Sequence, residues 1–133
     1  MRIRIFTLLL LLWLWSAIMG AVPPVHAAEV IQVARLAEVI TPVQADFIAE
    51  ALLAANRLPA KAFILELDTP GGLDTAMRTI IQAIFDSDIP VIVYVGPSGA
   101  RAASAGALIT LAADFAVMAS GTNLGAAHPV NLG

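Results

Sequence analysis

The sequence predicts an α/β fold with a mostly parallel sheet built from repeated β-α units. Three observations predict it. Short apolar runs at 30–33, 62–67, 91–95 and 115–118 read as strands. The stretches between them carry apolar residues at helical spacing, giving the order β-α-β-α-β-α-β. The strand runs are apolar at nearly every position instead of alternating, as in a sheet covered on both faces by helices.

The 133 residues suffice for one domain at most. The chain opens with Arg2 and Arg4, then a dense apolar run from Leu8 to Trp15 that continues through Ile18 and Met19. Pro23-Pro24 breaks it, and Val25-His26-Ala27 places compact residues before Ala28 in the pattern of a cleavage site. Residues 1–27 are thus expected to be a secretory signal peptide, with an uncleaved anchor as the other reading. Residues 28–133 are expected to be the N-terminal part of a domain. Its last residues, Ala126 to Gly133, look like a loop, and we expect the domain to continue beyond them.

Without Arg2 and Arg4, five Lys plus Arg face ten Asp plus Glu, a net charge of −5. No basic patch remains, so nucleic acid is not an expected partner. The absence of cysteine excludes a disulfide scaffold and a thiolate nucleophile. His26 falls in the signal segment, so His128 is the single histidine left, and no metal or other cofactor is expected.

The elements follow in order. Val30 to Val33 is a strand that can extend towards Leu36. Thr41-Pro42 opens a helix, with Gln44 completing a Thr-x-x-Gln capping box. Val43, Phe47, Ala51 and Ala54, with Ile48, Leu52 and Ala55, form its expected apolar face, and Leu58-Pro59-Ala60 ends it. Ala62 to Leu67 is the second strand and Asp68 to Gly72 a turn. Leu73, Met77, Ile80, Ile81 and Ile84 stripe a second helix that ends near Phe85-Asp86. Pro90 starts the third strand. Gly96 to Gly106 is a stretch of mostly small residues, a third helix covers about residues 104–113, and Phe115 to Met118 is the fourth strand.

Parallel α/β sheets bind ligands beyond the carboxyl ends of their strands. Two small-residue loops leave such ends, Asp68 to Gly72 and Gly96 to Gly106, and consecutive β-α units can set them facing each other. Gly71-Gly72 has no side chains to shield its N–H groups at a helix start, which suits an oxyanion hole. A plain Pro-Gly turn is the alternative. Ala102 to Gly106, Ala-Ala-Ser-Ala-Gly, is similar to the Gly-x-Ser-x-Gly nucleophile elbow at a strand-to-helix turn. On that reading Ser104 is the nucleophile. On the other, Ser104 caps the helix. Ser98, in a Gly-Pro-Ser-Gly turn, is a weaker rival. A serine needs a base. Lys61, the only lysine, precedes the second strand at the wrong end. His128 follows the last loop and is a candidate base or a plain loop residue. Asp68 reads as a turn residue, and Asp114 as a helix-end or strand-start residue.

Four segments together resemble the ClpP/crotonase superfamily and, within it, the membrane-bound ClpP-class serine proteases of the NfeD family. They are Leu-Asp-Thr-Pro-Gly-Gly-Leu at 67–73, Ile-Pro-Val-Ile-Val-Tyr-Val at 89–95, Pro-Ser-Gly-Ala-Arg-Ala-Ala-Ser-Ala-Gly at 97–106, and Met-Ala-Ser-Gly-Thr-Asn-Leu-Gly-Ala-Ala-His-Pro-Val at 118–130. The resemblance implies a ClpP/crotonase-like fold with Ser104 as nucleophile. It also implies an oxyanion and substrate-binding segment at Gly71 and Gly72, with Ala105 following the serine. It implies a lysine base, which would lie beyond Gly133. In ClpP the base is a histidine, and His128 falls near the corresponding position. The implied substrate is a hydrophobic peptide segment, such as that of a stomatin-like membrane protein. The implied setting is a homo-oligomer at the membrane, and the expected signal peptide puts it on the extracytoplasmic side. Two other functions fit the same fold. One is a crotonase-type enzyme acting on acyl-CoA, which an export signal disfavours. The other is an inactive scaffold that binds a membrane partner.

Overall fold

The computed structural model describes residues 29–58 and 60–127. The expected signal segment, residues 1–27, and the candidate base His128 lie outside the described residues. In chain order the elements are β1 (Val30–Leu36), α1 (Pro42–Arg57), β2 (Ala60–Leu67), α2 (Asp74–Phe85), β3 (Val91–Val95), β4 (Arg101–Ala103), α3 (Ala105–Ala112), β5 (Phe115–Met118) and β6 (Asn123–Gly125).

Strands β1, β2, β3 and β5 form a sheet in that order, with every neighbouring pair parallel. The expected β-α alternation and parallel sheet are therefore present. A second sheet was not expected. β4 and β6 pair in parallel, Arg101 opposite Asn123 and Ala103 opposite Gly125. Each has three residues, mostly small, with no alternation to mark a strand.

One face of the main sheet is the core. Ala34, Leu36, Phe63, Leu65, Leu67, Val91, Val93 and Val95 point into it and are buried. Ile48 and Leu52 of α1, Ile80 and Ile84 of α2, and Ile109 of α3 close over them. Burying this much apolar surface is the main favourable term in the fold. The opposite face differs from expectation. Val33, Ile64, Ile92 and Phe115 stand in one row across the four strands. Val33 and Phe115 are exposed, and Ile64 and Ile92 are only half-buried. The described residues cover this sheet on one side, so the two-sided apolar pattern is only half used by them.

Helix α1 also departs from the expected pattern. Its buried residues are Ala45, Ile48, Leu52 and Ala55. Val43 and Phe47, expected in the core, are 74% and 56% exposed. The helix carries two apolar stripes. The one with an alanine at each end lies against the core, because alanine lets the helix approach closely. The capping box does not form either. Thr41 has the extended backbone of an N-cap and Pro42 begins the helix, but the Thr41 hydroxyl makes no bond to a helix amide. It donates instead to Oε1 of Gln44, whose Nε2 donates to Glu38 at 3.3 Å.

Candidate active site

All four strands of the main sheet end on the same side, and their carboxyl ends build one cluster of loops. The connection from β1 to α1, residues 37–41, lies against the turn that follows β2. Ile40 N–H donates to the Gly71 carbonyl at 2.9 Å, and Leu73 N–H donates to the Ile40 carbonyl at 3.0 Å. This is a parallel bridge between Ile40 and Gly72. A Cβ on Gly72 would lie 2.1 Å from the Ile40 carbonyl oxygen, so only glycine passes there. Because both bonds to Ile40 come from the residues flanking Gly72, the N–H of Gly72 points away from Ile40.

The two glycines differ. Gly71 is buried, and its N–H donates to Thr69 Oγ1 at 3.1 Å. Gly72 is exposed, and its N–H has no partner among the described residues. Gly71 also has φ +108°, a conformation that side chains rarely adopt. The Asp68 carboxylate braces the same turn by accepting Arg101 N–H at 3.1 Å.

The turn sits directly beneath Ser104. A Cβ on Gly71 would be 2.8 Å from the Ser104 Cβ and 3.4 Å from its Oγ. The two motifs that the sequence set apart are thus in contact. β4 carries the chain to this point. Thr69 N–H donates to the Arg101 carbonyl at 2.7 Å, and Ala103 N–H donates to the Thr69 carbonyl at 3.1 Å. At Ser104 the strand turns sharply into α3, with φ 53° and ψ −116°. Such a conformation costs about 1–3 kcal/mol and persists only where neighbours impose it. Here Ser104 N–H donates to the Gly125 carbonyl of β6 at 2.8 Å, while the Ser104 carbonyl accepts Ala107 N–H at 3.0 Å. The serine is exposed and makes no side-chain cap bond to α3, so the alternative reading of it as a side-chain cap is not met. Its hydroxyl stands above the start of the helix, where the first N–H groups, Ala105 among them, have no intrahelical partner. Gly106 packs tightly below, since a Cβ there would meet Thr69 Cγ2 at 2.5 Å.

The other residues considered fall elsewhere. Ser98 is exposed, and its hydroxyl donates to the Ser120 carbonyl at 2.7 Å, bracing a turn. Lys61 is exposed at the start of strand β2, at the opposite end from Gly71. The Asp114 carboxylate accepts Val91 N–H at 2.8 Å and fixes the start of β3. Among the described residues no group of three or more His, Cys, Asp or Glu is placed to hold a metal. Sequence reasoning missed Thr69 and the β4–β6 pair. A buried threonine after a strand carries no distinctive signal, and three-residue strands carry less.

The residues 30–133 match the family described as "NfeD1b, N-terminal domain". The chain belongs to that NfeD family. It is 44% identical over 107 residues to the membrane-bound protease PH1510 of Pyrococcus horikoshii, covering 80% of this chain and 24% of that protein. It is 42% identical over 87 residues to the membrane protein NfeD1b of Bacillus subtilis, covering 65% of this chain and 19% of that one. The chain therefore spans about a quarter or less of the length of these relatives. Among solved structures, a serine-to-alanine mutant of the 1510-N membrane-bound stomatin-specific protease superposes with a TM-score of 0.76 at 44% identity, covering 81% of this chain and 52% of that one. A lysine-to-alanine mutant of the same protease, in complex with a substrate peptide, gives the same score and identity over 81% of this chain and 49% of that one. ClpP1 from Listeria monocytogenes, as an asparagine-to-aspartate mutant, gives 0.57 at 26% identity, covering 62% of this chain and 46% of that one. The NfeD fold is thus ClpP-like, as the sequence motifs imply. No helix among the described residues is long and apolar enough to cross a membrane.

Proposed function

We propose that this NfeD chain is the nucleophile-bearing part of a membrane-associated serine endopeptidase that cleaves apolar peptide segments. The observation that carries the reading is the strained turn at Ser104, exposed and in contact with Gly71. A substrate strand lies beside Gly72, whose outward N–H pairs with it or with the scissile carbonyl. The Ser104 oxygen attacks that carbonyl carbon, its proton passes to the base, and the carbonyl oxygen becomes the oxyanion. The donors that face it are the N–H groups of Gly72 and Ala105. Gly71 supports the turn instead, since its own N–H is bonded to Thr69. Each oxyanion donor is worth about 2.7–4 kcal/mol in the transition state.

The base on this reading is a lysine beyond residue 133, held neutral by apolar surroundings that lower its pKa. Lys61 is at the wrong end of β2, and the related protease has solved structures with a serine and, separately, a lysine changed to alanine. His128 is the alternative base. The stomatin specificity in that relative's name supports a stomatin-like membrane protein as substrate. Residues 1–27 would direct the domain to the extracytoplasmic side, where it would act as a homo-oligomer.

The test uses the full-length protein. Ser104→Ala is expected to abolish both cleavage of an apolar peptide and labelling by a serine-directed phosphonate. Labelling that survives the substitution overturns the assignment, and a wild type that neither cleaves nor labels points to a binding scaffold. A second expectation concerns the base: the 133-residue chain alone shows no turnover. Robust turnover by it assigns the base to His128.

A further inference from the structure

We infer that Thr69 is the positioning residue that sets the oxyanion turn against the nucleophile. This rests on the proposed protease reading and deepens it. Thr69 is fully buried, yet polar. Its hydroxyl has one proton to give and lone pairs to receive. It gives the proton to the Glu38 carbonyl at 2.6 Å and receives the Gly71 N–H at 3.1 Å. One atom therefore ties the β1–α1 connection to the Pro-Gly-Gly turn. The backbone of the same residue is bonded on both sides to β4, at Arg101 and Ala103, the residues that lead into Ser104. Its methyl group fills the space over Gly106, in the first turn of α3. Thr69 thus touches every segment of the site: the turn, the strand before the serine and the helix after it.

The hydroxyl has a specific consequence for the chemistry. By taking the Gly71 N–H it fixes the Pro70–Gly71 peptide group, the one before the Gly71–Gly72 peptide that carries the Gly72 N–H; together with the bond from Ile40 N–H to the Gly71 carbonyl, it sets the direction of that N–H. Loss of the hydroxyl leaves the buried Gly71 N–H without a partner and frees the Glu38 carbonyl, so the turn relaxes towards water to satisfy them. A displacement of about 1 Å at a catalytic donor can cost roughly 100-fold in rate. Substrate binding along the rest of an extended strand is affected much less.

Two substitutions separate hydroxyl from shape. Thr69→Val keeps the methyl packing and removes the hydroxyl. Thr69→Ser keeps the hydroxyl and removes the methyl. In the full-length protein we expect Val to lower kcat by about 10- to 100-fold, with KM within about twofold of wild type. Ser should retain kcat within about threefold. The pH profile should be unchanged, because Thr69 transfers no proton in the reaction. Independently of activity, hydrogen exchange of the Gly71 amide should quicken in the Val variant and not in the Ser variant. Wild-type kcat in the Val variant, or equal losses in Val and Ser, overturns the positioning role. Unchanged Gly71 exchange in the Val variant overturns the hydrogen-bond account even if the protein cleaves nothing. Failure of the protease reading itself would appear separately, as full activity in Ser104→Ala.

Discussion

At Ser104 the backbone holds φ 53° and ψ −116°, which a serine adopts only under constraint. The constraint is shared among Gly125, Thr69 and Gly71, and each can be tested by a single change. Gly71→Ala puts a methyl group 2.8 Å from the Ser104 Cβ and 3.1 Å from the Ala103 carbonyl, at φ +108°. We expect it to cost about 1–3 kcal/mol of stability and to abolish cleavage, read from denaturant midpoints and peptide turnover. Gly99→Ala is the control. Gly99 also has positive φ, +87°, but a Cβ there meets nothing within 4 Å. It should be destabilised by backbone strain alone and leave turnover intact. Equal loss of turnover in both would show that strain, and not contact with Ser104, is what matters. The Ser104 and Gly71-Gly72 turns of the candidate site were legible in the sequence because small residues gather at two strand ends, where backbones pass close to one another. Thr69 was not. A threonine next to a β-strand has ordinary β propensity, and only tertiary structure shows that its hydroxyl is spoken for twice.

At the scale of elements, α1 shows how periodicity identifies a helix without saying which stripe faces inward. The pattern holds two apolar stripes offset by a fraction of a turn, and both satisfy helical spacing. Close packing selected the stripe of Ala45, Ile48, Leu52 and Ala55. The choice is measurable. Ile48→Ala should destabilise by about 2–5 kcal/mol, as large-to-small changes in a core do. Phe47→Ala, at an exposed position, should stay within about 0.5 kcal/mol of wild type. Thermal or chemical unfolding of the two variants checks both values, and a Phe47 loss as large as that of Ile48 would mean that another surface covers the outer stripe. The longer strands were legible from their apolar runs, and Phe115–Met118 was found with its bounds. β4 and β6 were not, because their pairing depends on residues more than twenty positions apart and leaves almost no local trace.

For the whole molecule, the fold brings every strand of the main sheet to a common end and places the candidate site there. It also leaves apolar surface open. Phe115, Val117 and Met118 of the edge strand β5 are 60%, 47% and 43% exposed. Open apolar strand edges invite pairing between chains. The 133-residue chain made alone should therefore self-associate with rising concentration, and Val117→Lys should suppress this in light scattering. Association unchanged by the lysine would place the contact elsewhere. The two-sided apolar pattern correctly indicated a parallel sheet, but it could not say which residues would cover the second face.

The bond from Ser104 N–H to the Gly125 carbonyl has a bearing on time as well as on shape. Gly125 is synthesised well after the serine, and β6 can pair with β4 only once it has emerged. Until then the Gly125 share of the constraint on the strained turn is missing, and the unstrained backbone is favoured by that much more. A nascent chain that ends within α3 has the serine without its bond to Gly125. The turn at Ser104 is thus completed by the arrival of β6 and not by the segments made before it.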